Sequence, residues 1–174
     1  MKVLALIPAR FASTRFPGKP LTILGGKTMI QRVCEQVSKA KTIDHLAVVT
    51  DDERIFDHVK SLGYSVYDSD PNHPSGTDRC AEIALQLDEY EIVVNIQGDE
   101  PFILPSQIDL LVSYFIKNEY QIGTLAKRIY KTEKILNPNI VKTVFGKNGR
   151  ALYFSRSPIP HIRGKKQELS LIHI

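Results

Sequence analysis

The sequence predicts an α/β fold, in which a mainly parallel, mixed sheet is flanked by helices. Four short apolar segments are typical of strands, at residues 2–7, 45–50, 64–68 and 91–96. The first and fourth are nearly continuous apolar runs, as strands covered on both faces should be. Helix-period segments alternate with these strands, which favours right-handed crossovers and places ligand sites at the carboxyl ends of the strands.

Helices are predicted where apolar residues recur every three or four positions. The stripes comprise Met29, Ile30, Val33, Val37 and Ala40; Ile55, Phe56, Val59 and Leu62; Cys80, Ala84 and Leu87; and Ile108, Leu111, Val112, Phe115 and Ile116. Thr77 is suited to cap the third of these helices, with Asp78 in its first turn. Pro105 is suited to the first turn of the fourth.

The pattern changes after residue 120, where the strand-like segments 122–129, 140–146 and 150–156 follow one another. Asn148 and Gly149 tolerate positive φ and mark a turn between the last two, which predicts a C-terminal antiparallel hairpin appended to the parallel core. A chain of 174 residues is expected to form one domain. We assign that domain to residues 1–164 and leave 165–174 as an unassigned tail.

Charge and composition narrow the class of partner. The net charge is +4, and Lys2, Arg10, Arg15, Lys19, Lys27 and Arg32 all precede the first acid, Glu35. This local excess predicts an anionic ligand, but it is not interleaved with aromatic residues, which disfavours nucleic acid. No apolar run approaches the roughly 20 residues of a membrane span, and no leader opens the chain, so we expect a cytoplasmic protein. Cys34 and Cys80 are too few for a disulfide framework and are expected in the core.

The first candidate loop is "IPARFASTRFPGKPL", residues 7–21, which follows the first strand. Gly18 lets the backbone approach a ligand, and the prolines restrict the loop, so that Arg10, Arg15 and Lys19 need little ordering on meeting an anion. Guanidinium groups pair with phosphate oxygens and an ammonium acts as a point charge, which suits a triphosphate. The alternative interpretation is a solvated basic loop.

A second loop, "VVNIQGDEPF" at residues 93–102, places carboxylates where the fourth strand ends. Mg²⁺ prefers one or two carboxylates together with phosphate oxygens and water, so Asp99 is the expected magnesium ligand. Glu100 is less suited, because neighbouring residues that leave a strand point in different directions. The alternative is an acidic turn before Pro101.

The third loop, "NHPSGTDR" at residues 72–79, carries hydroxyls, a glycine and a cation. The proposed cap accounts for part of it, whereas Ser75, Gly76 and Arg79 together could bind a base edge or a phosphate. His73 has no cysteine or carboxylate at metal-ligand spacing and is expected to be a solvated loop residue.

Five motifs, in this order and at these separations, resemble the 3-deoxy-manno-octulosonate (Kdo) cytidylyltransferases: "IPARFASTRFPGKPL", "HPSGTDR", "VNIQGDEP", "NPNIVKTV" and "ALYFSRSPIP". The resemblance extends to about Arg163. It implies a nucleotide-diphospho-sugar transferase (Rossmann-like) fold, a homodimer, and coupling of CTP to Kdo with release of pyrophosphate. The product of that family feeds lipopolysaccharide assembly in Gram-negative bacteria.

The resemblance also implies roles for individual residues. It assigns triphosphate binding to Arg10, Ser13 and Lys19, with Arg15 a weaker candidate; cytosine binding to Pro8, Ala9, Ser75, Arg79 and Gln97; the magnesium ion to Asp99; and the start of the sugar-acid pocket to Arg156. Arg10, Lys19 and Asp99 are accordingly the expected catalytic residues.

Members of the family continue beyond "SPIPHIRG" into a segment with a second metal-binding aspartate, which this sequence lacks. We therefore expect a C-terminally truncated chain, one that dimerises when full length. Two alternatives remain open. One is a cytidylyltransferase for another acidic sugar, of the sialic acid or 8-amino-Kdo type, and the other is a CTP-binding fragment without turnover.

Overall fold

The computed structural model describes residues 1–12, 16–118 and 120–160. In chain order the elements are β1 (Val3–Ala9), a 3-10 helix (Lys19–Leu21), β2 (Ile23–Leu24), β3 (Lys27–Thr28), α1 (Met29–Val37), β4 (His45–Thr50), α2 (Glu53–Ser61), β5 (Ser65–Asp68), α3 (Gly76–Gln86), β6 (Ile92–Asn95), α4 (Pro105–Asn118), α5 (Thr132–Leu136), β7 (Lys142–Phe145) and β8 (Ala151–Ser155). The chain divides into two compact units, Met1–Gly123 and Thr124–Ile174. The sequence had predicted a single domain through residue 164.

The first unit contains the predicted parallel sheet. Its strand order is β5-β4-β1-β6, and every neighbouring pair is parallel. The chain moves outward from β1 to β4 and β5, and then returns through α3 to pair β6 on the other side of β1. The strand order therefore reverses at β1 and β6, and in open α/β sheets the carboxyl ends at such a point form the usual ligand crevice.

Both faces of the sheet are packed, which explains why β1 is apolar throughout and buried at all seven positions. One face packs with α1, α2 and α4 through a cluster that includes Ile7, Val33, Ile55 and Ile108. The other face packs with α3, where Leu4, Leu6, Cys80 and Ile83 meet.

Side-chain caps begin three of the helices. Thr28 Oγ1 accepts from the Gln31 N–H at the start of α1, and Asp52 Oδ1 accepts from the Arg54 N–H at the start of α2. The cap of α3 is Ser75, whose Oγ accepts from the Asp78 N–H at 3.2 Å. The prediction of Thr77 as this cap was wrong, because the helix begins at Gly76, two residues earlier than a cap at Thr77 would place it.

The two cysteines are buried, as predicted, at 0% exposure for Cys34 and 3% for Cys80. Burial raises the pKa of both thiols to about 12, so both remain protonated at neutral pH. Their packing in the core accounts for them without a redox or metal-binding role.

The second unit is described for residues 124–160, and it contains the predicted hairpin. Strands β7 and β8 pair antiparallel, with Lys142 opposite Ser155. Lys142 is buried, and its ammonium donates to the carbonyls of Asn137 and Ile140, at 2.9 and 2.7 Å, and to that of Arg156. These bonds fasten the hairpin to the segment before it.

The strand expected at 122–129 was wrong, because these residues form no strand in the structure. Their apolar members, Ile122, Leu125, Ala126 and Ile129, are spaced by threes and fours and so define no strand face. In the described residues the antiparallel strands form separate two-stranded sheets, and the four-stranded sheet is parallel throughout rather than mixed. No described helix is both long and apolar enough to cross a membrane.

Candidate active site

A groove of about 520 Å³ lies at the carboxyl ends of β1 and β6, where the strand order reverses. It is lined by Pro8, Ala9, Arg10, Phe16, Lys19, Pro20, Pro74, Ser75, Gly76, Gln97, Gly98 and Asp99. The three loops predicted from the sequence therefore meet in one place. Phe16, Pro20 and Pro74 had not been singled out from the sequence.

One side of the groove is a charged wall, which we define as Arg10, Lys19 and Asp99. The Lys19 Nζ and Asp99 Oδ2 atoms lie 2.5 Å apart, although the residues are 80 positions apart in the chain. Their side chains are 38% and 50% exposed, respectively, so solvent and ligands can reach both. This ion pair joins the cationic loop after β1 to the acidic loop after β6.

Arg10 joins the charged wall to the loop before α3. Its guanidinium donates to the carbonyl of His73. The Arg10 Nε atom is buried and has no hydrogen-bond partner among the described residues. A buried N–H without a partner is unfavourable, and an anion at this position would relieve it.

His73 is more constrained than the solvated residue expected from the sequence. Its Nε2 lies 2.7 Å from Glu82 Oε2, and the same carboxylate oxygen accepts from the Asp70 N–H at 3.1 Å. The hydrogen bond from His73, together with the one from Asp70, lowers the pKa of the Glu82 carboxyl from its ordinary value. The loop that supplies the carbonyl for Arg10 is thus held to α3.

Gly18 shapes the loop after β1. Its φ is 70°, in the left-handed region, and its N–H donates to the Phe11 carbonyl at 2.9 Å. A Cβ added at Gly18 would lie 3.0 Å from the Phe11 ring. This closure directs the chain into the short helix that begins with Lys19. Ser13 and Arg15 lie outside the described residues, so their predicted phosphate contacts stay predictions.

The floor of the groove is Pro8, which packs between two glycines. A Cβ on Gly98 would lie 2.8 Å from the Pro8 carbonyl oxygen, and one on Gly76 would lie 3.1 Å from the Pro8 ring. A side chain at Gly98 would force backbone to move, and one at Gly76 would need a smaller adjustment. These glycines let three backbone segments approach closely.

A second part of the lining is a helix wall, which we define as Pro74, Ser75 and Gly76 at the start of α3. The Ser75 hydroxyl accepts from the Asp78 N–H and donates to Asp78 Oδ2 at 2.5 Å. This capping arrangement fixes the backbone that faces the groove.

Gln97 lies at the end of β6 and is linked to the same helix. Its Nε2 donates to Asn95 Oδ1 at 3.0 Å, and Asn95 Nδ2 donates to Thr77 Oγ1 at 3.3 Å. The residue predicted as the cap thus connects α3 to β6 instead.

Arg79 is not brought into the groove, in contrast to the expectation that it contacts cytosine. Its side chain is fully buried, with Nη2 donating to Asp51 Oδ2 at 2.8 Å and Nη1 donating to Ser69 Oγ. Arg79 lies one helical turn before Ile83 and shares its sheet-facing side of α3. Helical periodicity could have given this signal, since Arg79 lies four residues before the apolar, buried Ile83.

Two further residues singled out from the sequence are Glu100 and Arg156. Glu100 is exposed and does not line the groove, in keeping with its weaker claim as a metal ligand. Arg156 belongs to the second unit, where it is exposed and its Nη1 donates to the Pro138 carbonyl at 3.1 Å. Its predicted role in a sugar-acid pocket stays a prediction.

Asp99 has the donor chemistry for a magnesium ion that is completed by a ligand. The described residues contain no group of three or more histidine, cysteine or acidic side chains that could enclose a metal. Mg²⁺ commonly uses one or two carboxylates and takes its remaining ligands from phosphates and water. The Lys19 ammonium already holds a positive charge against this carboxylate, which is compatible with a cation there.

Comparisons with known proteins find similar chains that share one activity in their names. A relative from Thermodesulfovibrio yellowstonii, named 3-deoxy-manno-octulosonate cytidylyltransferase, is 51% identical, over 95% of this chain and 68% of its own length. One of the same name from Parabacteroides distasonis is 50% identical, over 95% and 67%. A solved structure of CMP:2-keto-3-deoxy-manno-octonic acid synthetase complexed with CTP has a TM-score of 0.83 and 35% identity, covering 94% of this chain and 67% of that one.

This chain spans about two thirds of the length of the curated relatives it matches. The family model described as cytidylyltransferase matches residues 4–174, which is nearly all of the sequence. The protein therefore belongs to the cytidylyltransferase family.

Proposed function

We propose that this chain binds CTP in the groove and couples it to Kdo, giving CMP-Kdo and pyrophosphate. The observation that carries the proposal is the contact of 2.5 Å between Lys19 Nζ and Asp99 Oδ2. It brings a phosphate-binding cation and a metal-binding carboxylate together at the point where the strand order reverses. The names of the relatives and of the CTP-bound structure support the nucleotide and the sugar.

The triphosphate binds along the charged wall. Arg10 and Lys19 bind its oxygens, and we assign Ser13 and Arg15 to the same group on the resemblance alone. Charge-assisted hydrogen bonds of this kind are short and strong, and the exposed Lys19 ammonium needs little rearrangement to exchange a carboxylate for a phosphate.

The cytidine binds toward the helix wall and the floor. Backbone groups of Pro8 and Ala9, the Ser75 region and the Gln97 amide all line this part of the groove. Main-chain and amide groups read the hydrogen-bonding edge of a base, and the close-packed floor limits its size.

Asp99 is the residue that would hold Mg²⁺. When bound, the ion would neutralise part of the negative charge of the phosphates and help to orient them. The resemblance implies a second metal-binding aspartate in the longer relatives.

The reaction is transfer of a nucleotidyl group. The anomeric hydroxyl of Kdo forms a bond to the α-phosphorus and loses its proton, while the bond from that phosphorus to the bridging oxygen breaks and pyrophosphate leaves. Arg10 and Lys19 stabilise the charge that grows on the departing pyrophosphate. The two walls hold the reactants in position, because CTP and Kdo are both anionic and repel each other.

The test has two steps on the same preparation. Calorimetry first measures CTP binding with and without Mg²⁺, and release of pyrophosphate is then measured after adding Kdo or one of a panel of other sugar acids. The proposal requires CTP binding that Mg²⁺ strengthens, and turnover with Kdo above the other acids. Binding without turnover would favour a CTP-binding fragment, and turnover with sialic acid instead would reassign the sugar. The homodimer and the cytoplasmic location remain predictions.

A further inference from the structure

Arg79 has the chemistry of a ligand-binding residue and the position of a structural one. Its guanidinium is fully buried, so no nucleotide in the groove can reach it without a rearrangement. It lies in the first turn of α3, four residues after Ser75, whose carbonyl accepts from the Arg79 N–H at 3.3 Å. Its contacts therefore act directly on the helix start that forms the helix wall.

The guanidinium connects α3 to the ends of two strands. Nη2 pairs with Asp51 just beyond β4, and Nη1 donates to Ser69 just beyond β5. Ser69 in turn bonds the Thr50 carbonyl through both its N–H, at 3.0 Å, and its hydroxyl, at 3.2 Å. One side chain thus joins the helix to the β4 and β5 ends of the sheet.

Other contacts hold the same turn from the opposite side. Thr77 accepts from Asn95 at the end of β6, and Gly76 packs on the Pro8 ring at the end of β1. The start of α3 is therefore fixed against all four strands. The only charged connection among these is the one made by Arg79, and neither Asp51 nor Ser69 lines the groove.

We propose that Arg79 is a positioning residue that holds the helix wall against Pro8 and thereby sets the width of the cytidine half of the groove. The inference rests on the proposed function, since it assigns cytidine to that half. Lys19 and Asp99 make no hydrogen bond or ion pair with Arg79 in the described residues, and Arg10 is connected to the loop before α3 only through the His73 carbonyl. Triphosphate binding should therefore depend on Arg79 less than cytidine binding does.

The experiment compares the affinity for CTP with the affinity for inorganic tripolyphosphate. The variants are Arg79→Met, Asp51→Asn, the double variant and Ser69→Ala. Removing one partner of a buried ion pair leaves the other charge uncompensated, and the single variants are expected to unfold at lower temperature. The double variant removes both charges and should recover much of that stability, but it still lacks the connection.

In the double variant we expect CTP to bind about tenfold more weakly while tripolyphosphate loses much less affinity, since displaced contacts lose affinity steeply with distance. Ser69→Ala should shift the ratio in the same direction by about two- to threefold, because it removes the hydroxyl that accepts from Arg79 and donates to the Thr50 carbonyl while the Arg79 pair with Asp51 stays. Arg32→Met is the control. Arg32 also joins a helix to a separate segment, through the carbonyls of Leu24 and Gly25, but it does not line the groove.

Three results would overturn the inference. If the double variant keeps the wild-type ratio, Arg79 only stabilises the fold. If Arg79→Met weakens CTP binding while Asp51→Asn and Ser69→Ala do not, the guanidinium contacts the nucleotide itself. If Arg79→Met or Asp51→Asn does not fold, the ratio of the two affinities in the double variant and in Ser69→Ala decides between these outcomes. A wild-type chain that fails to bind CTP would remove the proposed function and this inference with it.

Discussion

Each wall of the groove is associated with one ion pair, and the two ion pairs differ in their exposure. On the charged wall, Lys19 and Asp99 form an ion pair whose two members are more than a third exposed. Behind the helix wall, Arg79 and Asp51 form one whose cation is fully buried. A polyanion with its metal can replace both partners of the first pair, whereas nothing in the groove can reach the second. Exposure, rather than residue type, therefore distinguishes an ion pair that can bind a ligand from one that can only position the helix.

The largest effect is expected from removing the carboxylate of the charged wall. Asp99→Asn should lower Mg²⁺-dependent pyrophosphate release by about 100-fold or more in a preparation that turns over, since loss of one aligned electrostatic group commonly has this effect. The fold should be intact, because Asp99 lies at an exposed loop edge. Initial rates measure the loss of pyrophosphate release, and a thermal unfolding curve shows whether the fold is intact.

Glu100→Gln is the matched control for this variant. The neighbouring carboxylate does not line the groove, so its neutralisation should leave turnover close to that of the wild type. Equal losses in both variants would mean that the general acidity of the loop matters, and would remove the specific role of Asp99.

The next effect concerns the cation of the same pair. Lys19→Met should weaken CTP binding by about 1.5 to 3 kcal/mol, which is the range for hydrogen bonds to charged groups. Calorimetric titration of CTP into the variant and the wild type measures this difference. Lys27→Met is its control, because Lys27 also pairs with a carboxylate, Glu35 at 2.7 Å, but lies outside the groove. An unchanged affinity for CTP would favour the alternative interpretation of residues 7–21 as a solvated basic loop.

The same variant should change metal binding in the opposite direction. Without nucleotide, the Lys19 ammonium competes with a divalent cation for Asp99. Lys19→Met should therefore bind Mn²⁺ alone several-fold more tightly, as monitored by paramagnetic relaxation. Weaker or equal Mn²⁺ binding would contradict the view that the two cations share one carboxylate.

A smaller effect is expected at the floor, which supports both walls. Gly98→Ala places a Cβ about 2.8 Å from the Pro8 carbonyl oxygen, so backbone must move, and we expect a loss of about 1 to 3 kcal/mol in the free energy of unfolding. Gly76→Ala meets only the Pro8 ring and should be milder. Denaturant titration measures the free energy of unfolding of both variants. A larger loss in Gly76→Ala than in Gly98→Ala would contradict the described packing.

The smallest effect is a pH dependence on the helix-wall side. The hydrogen bond from His73 lowers the pKa of Glu82 below its ordinary value of 4.5, so its contribution to stability is complete above that pH and is lost as the pH falls through the folded-state pKa. The difference in melting temperature between the wild type and Glu82→Gln should therefore shrink on acidification. A difference that is constant with pH would contradict this assignment.

The parallel sheet was predictable because its central strands, β1 and β4, are largely buried, and burial favours apolar runs. The segment 45–50 was predicted with its observed bounds, and the other three strands were within two residues at each end. Residues 122–129 failed the same reasoning, since apolar content without period-two spacing does not specify pairing. The hairpin was recoverable from its turn, where Gly149 has a φ of 79°.

The site was predictable as a set of loops, and less so as a set of contacts. Topology brings the carboxyl ends of β1 and β6 together, so Arg10, Lys19 and Asp99 could be grouped from their positions after strands. Arg79 could not be separated from them by residue type, because its burial depends on helix phase and on a partner, Asp51, 28 positions away. The ion pair of Lys19 with Asp99 likewise depends on how far each side chain extends from its own loop, which the sequence does not specify.

The most direct test of the central claim is the coupling between Mg²⁺ and CTP in the wild type and in Asp99→Asn. Calorimetric titration of CTP at increasing Mg²⁺ concentration gives this coupling for both. The account predicts that Mg²⁺ tightens CTP binding in the wild type and that most of this gain is absent in the variant. An equal gain in both proteins would contradict the assignment of the metal to Asp99 and, with it, the arrangement of the nucleotide in the groove.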